Sequence, residues 1–252
     1  MLRVRDLALG YGAEPVIEGV NLEVASGKFV SLVGPSGSGK TSILRAVNGL
    51  LTSRYGSVEF DGGRDQLGFL FQDDALLPWR TAVQNVALGL RIRNIAKAAA
   101  QTEAEAWLAR LGLKGFGGRF PHELSGGQRK RVAIAQILAL KPKLLLMDEP
   151  FASLDAIVRT RITQELLNWV EREHLSVLLV THDLEEALTV SDTVYLLSQG
   201  PSARVVASYN VAIPRPRDVF ASRKHDNFAP LLERLWNDMS GAMDGAEFDA
   251  QR

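Results

Sequence analysis

A chain of 252 residues is long enough for one large or two small domains, and a hydrophobic share of 46% supplies a real core. Lys and Arg number 29 together and Asp and Glu also 29, so no overall field attracts nucleic acid or an anionic membrane, and no nucleic-acid partner is expected. The lack of cysteine excludes disulfides and thiolate metal sites and agrees with a reducing compartment.

The first residues, Met1-Leu2-Arg3-Val4-Arg5-Asp6, lack the apolar core of a secretory signal. The longest apolar stretch, Val132 to Leu140, is interrupted by Gln136 and too short to span a bilayer. The expectation is a chain soluble by itself, held at a membrane only by other chains. Residues 1 to 33 alternate and turn like a small antiparallel sheet, with Val4, Leu7 and Leu9 on one strand and Val20, Leu22 and Val24 on another. Phe29 to Val33 then runs straight into Gly34-Pro35-Ser36-Gly37-Ser38-Gly39-Lys40-Thr41.

That octapeptide has the pattern of a P-loop. Its glycines let successive backbone N–H groups curl toward one phosphate cluster, and the helix predicted over Lys40 to Val47 adds its N-terminal dipole. Asn48-Gly49 supplies the stop. In this pattern Lys40 contacts the β- and γ-phosphates, Thr41 offers its hydroxyl to Mg²⁺, and Ser42 follows in the same turn.

Three more apolar runs, Leu67 to Phe71, Leu144 to Met147 and Val177 to Val180, fit parallel strands covered on both faces. Each is followed by a chemically loaded residue: Gln72, Asp148-Glu149 and His182. That is the pattern of an α/β sheet whose ligand sits beyond the carboxyl ends of its strands. Asp148 is positioned to hold Mg²⁺ through water and Glu149 to polarise an attacking water; a plain acidic helix cap is the alternative reading, given Pro150.

Asn85 to Gly112 is rich in Ala, Leu, Arg and Glu and reads as a helical insertion, with Trp107, Leu108 and Leu111 at helical spacing and a loop over Gly115 to Gly118. Ser125-Gly126-Gly127-Gln128 opens another helix; taken alone, such a turn is simply a cap, though its bare amides also suit an anion. Val194 to Leu197 and Val205-Val206 read as closing strands. Residues 214 to 240 read as an exposed connector and a final helix, with Leu231, Leu232, Leu235 and Trp236 on one face; Gly241 to Arg252 reads as frayed.

The order of these motifs resembles the nucleotide-binding subunit of ABC transporters over roughly residues 1 to 215. In those terms Gly34 to Thr41 is the Walker A, Gln72 the Q-loop glutamine, Leu124 to Gln128 the signature, Leu144 to Asp148 the Walker B, Ser153-Leu154-Asp155 the D-loop and His182 the switch histidine. Tyr11 matches the aromatic that stacks on adenine. The resemblance implies a P-loop NTPase core with a parallel sheet, an N-terminal antiparallel β subdomain and a helical subdomain, about residues 80–140, carrying the signature. Residues 216–252 are then a C-terminal helix and tail.

The resemblance also implies a mechanism with ATP and Mg²⁺. Two copies face each other head to tail, each ATP lying between the Walker A of one and Ser125, Gly126, Gly127 and Gln128 of the other, with Asp155 bridging across or, in the alternative reading, capping the next helix. Glu149, His182 and Gln72 are its catalytic residues, Thr41, Gln72 and Asp148 its metal residues. Leu76-Leu77-Pro78-Trp79-Arg80 looks like the nitrate, taurine and sulfonate importers, where this region receives an integral membrane permease fed by an extracytoplasmic solute-binding protein. Such a subunit is peripheral, at the cytoplasmic face of the inner membrane. Packing of Trp79 within the chain is the alternative for that residue.

Two positions depart from the family's usual pattern, Lys130 for glutamine and Gln136 for arginine; altered packing or surface pairing is expected from each. Asp61 to Leu67 is short, so a trimmed sheet edge is expected there. Two rival functions remain at this point: a soluble ABC ATPase acting on macromolecules without transport, and a small-molecule P-loop kinase, which would need an acceptor lid and no signature.

Overall fold

The structure, a computed structural model, describes residues 1–11 and 14–243. In chain order it runs β1 (Leu2–Leu9), β2 (Ile17–Val24), β3 (Phe29–Val33), α1 (Lys40–Val47), β4 (Tyr55–Phe60), β5 (Leu67–Leu70), α2 (Ala82–Ile92), α3 (Lys97–Arg110) and α4 (Gly126–Leu138). It continues through β6 (Leu144–Asp148), α5 (Ala156–Arg172), β7 (Ser176–Val180), α6 (Leu184–Val190), β8 (Thr193–Leu197), β9 (Val205–Asn210), α7 (Val219–Arg223) and α8 (Phe228–Met243).

A small antiparallel sheet, ordered β2-β1-β4, packs over a six-stranded sheet ordered β5-β6-β7-β3-β8-β9. The larger sheet is parallel except for β9, which runs antiparallel to β8. Its central strands β3, β6 and β7 are buried on both faces, as parallel strands under two layers are. Along β6, Leu144 and Leu146 face the core shared with α1 and the small sheet, while Leu145 and Met147 face the core shared with α2, α3 and α4. Each such leucine contributes about 1.5–3 kcal/mol by leaving water.

The sheet order decides where chemistry collects. β6, β7 and β3 are adjacent, and all three point their carboxyl ends the same way. The segments leaving those ends are Asp148-Glu149, Thr181-His182 and the glycine loop. Residues separated by more than 100 positions therefore share one edge.

The structure departs from several expectations. β4 pairs with β1 from Leu2 opposite Phe60 to Ala8 opposite Tyr55, yet its own residues lack a clean alternation and gave no strand signal. The helical insertion is two helices, broken where Asn94 takes φ 63°. Trp236 does not share the apolar face of α8: Leu235 is fully buried with Leu231 and Leu232 beside it, whereas Trp236 is exposed. The connector before α8 is not uniformly exposed either. Arg215 makes a double hydrogen bond to Asp192, and Arg217 is buried beside it. Burial alone would raise the Asp192 carboxyl; the Arg215 hydrogen bond and charge, with the Phe29 amide, outweigh it and hold it below its usual value. Gly241 to Met243 belongs to α8 rather than to a frayed end, and the rest of the expected tail lies outside the described residues. β5, only four residues long, forms the edge where a trimmed sheet was expected.

Candidate nucleotide site

The glycine loop takes its shape from close packing. Gly39 has φ 85° immediately before α1, and a Cβ there would stand 2.6 Å from Ile17 Cγ2. Only glycine fits that backbone without moving β2. The loop and α1 line a cleft of about 640 Å³ together with Val16, Glu149 and His182. That volume lies within the roughly 300–1,000 Å³ of small-molecule sites.

Lys40 bends back over the loop. Its Nζ donates to the carbonyls of Gly34 at 2.8 Å and Pro35 at 2.7 Å and to Ser38 Oγ at 3.3 Å. Burial lowers the Lys40 pKa, and the carboxylates of Glu149 and Asp148 oppose that shift. Thr41 Oγ1 donates to Asp148 Oδ1 at 3.0 Å, joining α1 to the end of β6. Burial raises the Asp148 carboxyl, the Thr41 hydrogen bond works against that, and the Glu149 charge adds to it.

A hydroxyl and a carboxylate in contact are hard oxygen donors that fit Mg²⁺, which takes one or two protein ligands and completes its shell with water and phosphate oxygens. Among the described residues no cluster of three or more His, Cys, Asp or Glu forms a metal cage. A substrate-borne Mg²⁺ does not require one.

Glu149 sits at φ 41°, in the left-handed region that a residue with a side chain enters at a cost of roughly 1–3 kcal/mol. Its amide donates to the Val180 carbonyl at 2.9 Å, so the turn is held by β7. Its Oε2 lies 3.1 Å from His182 Nδ1. Glu149 is therefore no helix cap; the residue that caps α5 is Asp155, whose Oδ1 accepts from the Val158 amide at 3.0 Å. On the cleft's far flank, Tyr11 is 62% exposed and its hydroxyl meets Ser42 Oγ at 3.1 Å. An exposed ring tethered at its hydroxyl leaves a face open to stack on a base.

The remaining expected residues lie elsewhere. Gln72 follows β5, one strand beyond β6, and is not among the residues lining the cleft. Ser125, Gly126, Gly127 and Gln128 open α4, also outside the cleft lining. Ser125 and Gln128 close a reciprocal cap: Ser125 N–H donates to Gln128 Oε1 at 2.9 Å, and Gln128 N–H donates to Ser125 Oγ at 3.3 Å.

The buried partners of two residues were not legible in the sequence. Asn85 is fully buried; its amide groups bond the backbone of Leu77, Arg80 and Thr81 and fix the loop that presents Trp79. Its position inside α2 concealed it, since asparagine in a helix normally points to solvent. Altered packing or surface pairing was expected of Lys130; it is 1% exposed, with Asp74 at 2.9 Å, so the packing is altered and the pair is buried. Lys130 stands between Arg129 and Arg131, and its signal was the departure from the family's usual glutamine.

The family model described as ABC transporter matches residues 17–152, more than half of the chain. The chain belongs to the ABC transporter family. It is 42% identical over 206 residues to the taurine import ATP-binding protein TauB of Escherichia coli O157:H7, covering 80% of this chain and 81% of that protein. It is 39% identical over 240 residues to the aliphatic sulfonates import ATP-binding protein SsuB 2 of Rhizobium johnstonii, covering 95% of this chain and 93% of that one. Among solved structures it resembles the dimeric post-hydrolysis state of the ATP-binding cassette MJ0796 bound to ADP and Pi, with TM-score 0.75, 30% identity and coverage of 85% of this chain and 100% of that one. An ABC cassette is thus the fold here, with its mostly parallel sheet and separate antiparallel sheet. Among the described residues no helix is long and apolar enough to cross a membrane.

Proposed function

We propose that this chain binds and hydrolyses ATP as the energising subunit of an importer for a small solute of the taurine or sulfonate kind. It works as a homodimer and drives a partner permease in the membrane, at whose cytoplasmic face it sits; an extracytoplasmic solute-binding protein feeds that permease. The observation that carries this reading is the convergence of Lys40, Thr41, Glu149 and His182 on one cleft while the Ser125 turn stands outside it. A cleft built for phosphates and lacking its second amide-rich wall is half of a site, and a second copy supplies the other half. The relatives' import names and the dimeric cassette named above support the same assignment.

In this reading ATP lies over the glycine loop, with adenine on Tyr11. Lys40 leaves the Gly34 and Pro35 carbonyls for the β- and γ-phosphates. Thr41 and Asp148 would hold Mg²⁺, and the ion would supply neutralisation of the phosphate charge. Glu149, oriented by His182, accepts a proton from the attacking water as its oxygen bonds to the γ-phosphorus; the bond to the bridging oxygen breaks and ADP departs with the electron pair. His182 and, from the Q-loop, Gln72 position that water. The partner copy's Ser125 turn and helix dipole steady the γ-phosphate, and Asp155 spans the interface. Loss of the γ-phosphate then removes the charge that held the halves together.

The docking face for the permease is Leu76 to Arg80. Trp79 is 70% exposed, so it does not pack within the chain, and Phe71, stacked on Phe69, is exposed as well. An apolar, aromatic surface rigidly held by Asn85 suits a partner helix. The test is reconstitution with the permease and binding protein in liposomes, measuring ATP hydrolysis against taurine, alkanesulfonates, nitrate and thiamine-precursor pyrimidines. Stimulation by one of them supports the reading. Hydrolysis indifferent to any membrane protein, and no co-purifying permease, would move the chain to the soluble class that acts on macromolecules.

A further inference from the structure

Lys130 brings a charge into the core of the helical layer. Its side chain is 1% exposed, and its Nζ donates to Asp74 Oδ1 at 2.9 Å and to the Gln72 carbonyl at 3.1 Å. A buried ammonium that lost its partners would be strongly destabilising, so these two contacts hold firmly. Asp74 reaches onward with its second oxygen: Oδ2 lies 3.5 Å from Arg129 Nε. Arg129 in turn donates from its terminal nitrogen to the Leu124 carbonyl at 2.7 Å. Leu124 directly precedes Ser125, the cap of α4. An unbroken chain of polar contacts therefore joins Gln72, at the carboxyl edge of the sheet, to the Ser125 turn.

We propose that Lys130 is a positioning residue that fastens the Gln72–Asp74 loop to α4, so that displacement of the loop carries the Ser125–Gln128 turn with it. The inference rests on the preceding assignment of the Ser125 turn to a nucleotide held by a second copy. Two rigid pieces linked through one buried charge move as one; with the link removed, the turn reaches the nucleotide in a spread of positions, and misplacement by about 1 Å costs on the order of 100-fold in rate. Among the described residues the polar partners of Lys130 are Asp74 and Gln72, neither of which lines the Lys40 cleft, so binding of nucleotide to the glycine loop is left intact.

The experiment uses the full-length protein and separates positioning from folding. Lys130→Met removes the charge and leaves Asp74 with Arg129 as its cationic partner. The double variant Lys130→Met with Asp74→Leu removes both charges, and replacing a buried pair by apolar residues of similar volume is often neutral or stabilising. Lys130→Gln keeps N–H donors for both partners. The readouts are Tm, the Kd for a non-hydrolysable ATP analogue, and kcat and KM for Mg-ATP hydrolysis. The expected result is a double variant with Tm restored toward the parent, Kd and KM within about twofold, and kcat still lowered at least tenfold, while Lys130→Gln keeps kcat within about threefold. Recovery of kcat together with Tm in the double variant overturns the proposal, since the pair would then serve folding alone. Parental kcat in a folded Lys130→Met overturns it as well; should that single variant fail to fold, the double variant decides. Glu149→Gln is the control. If it is inactive while the double variant is fully active, only this inference fails; if it hydrolyses normally, the site assignment fails and takes this inference with it.

Discussion

His182 Nδ1 rests 3.1 Å from Glu149 Oε2 across the ends of two neighbouring strands. The contact orients a carboxylate that its own backbone already turns out of the β6 line, at φ 41°. A strained acid aimed into a phosphate-sized cleft by a histidine is what activation of a water demands. Glu149→Gln keeps the shape and removes the proposed base. Nucleotide binding is expected to persist, turnover to fall by about 100-fold or more, and ATP to trap a dimer. Size-exclusion chromatography with ATP checks this: a monomeric variant with normal hydrolysis contradicts the assignment.

The same backbone strain makes a stability prediction. Glycine tolerates positive φ, so Glu149→Gly should be more stable than Glu149→Ala by about 1 kcal/mol. Urea denaturation of the two variants measures the difference. Equal midpoints would mean the turn relaxes around alanine.

Lys40 is bound by three oxygens of its own loop, and nucleotide must offer it something better. Charge-assisted hydrogen bonds contribute about 1.5–3 kcal/mol, so Lys40→Ala should raise the Kd for ATP roughly 10- to 100-fold. Calorimetric titration reads this directly. An unchanged Kd would place the phosphates away from the loop.

Glu186 gives a pH signature beside the site. Burial pushes its carboxyl from 4.5 up to about 7; the Thr181 hydroxyl, which donates to it, opposes the shift, Asp183 adds to it, and Arg159 and His182 oppose it. Its folded pKa lies above its unfolded one, so between pH 4.5 and about 7 the native state holds the proton more tightly. The stabilisation is complete below that window and lost as pH rises through it. Glu186→Gln stays neutral throughout. Its Tm relative to the parent should therefore climb from pH 4.5 to pH 8, by about 2–4 °C for each kcal/mol released. A difference flat with pH would show that Glu186 is ionised in the native protein.

Trp79 is expected to matter only in the assembled transporter. Removing so exposed a side chain should change stability by no more than about 0.5 kcal/mol and leave basal hydrolysis intact. Solute-stimulated hydrolysis with the permease should fall. Equal loss of basal and stimulated rates in the reconstituted Trp79→Ala complex would count against a docking role.

The contributions of sequence and tertiary structure separate along a physical line. Features encoded in consecutive residues were legible: the glycine loop opening α1, the apolar runs of β5, β6 and β7 with their loaded ends, and the Ser125 cap of α4. Each depends on backbone preferences, helix termini or burial of a short run, which act over a few residues. The family assignment followed from their order.

Only the fold decided which distant groups meet. The sheet order brought Thr41 to Asp148 and Glu149 to His182, and helix packing buried Lys130 against Asp74 and Asn85 beneath the Trp79 loop. β4 exists because β1 offers it an edge, and Trp236 faces water because Leu235 takes the core position. Burial of a polar group is worth its desolvation only when its partner arrives with it, and that partner is chosen by long-range packing, which no local stretch of residues records.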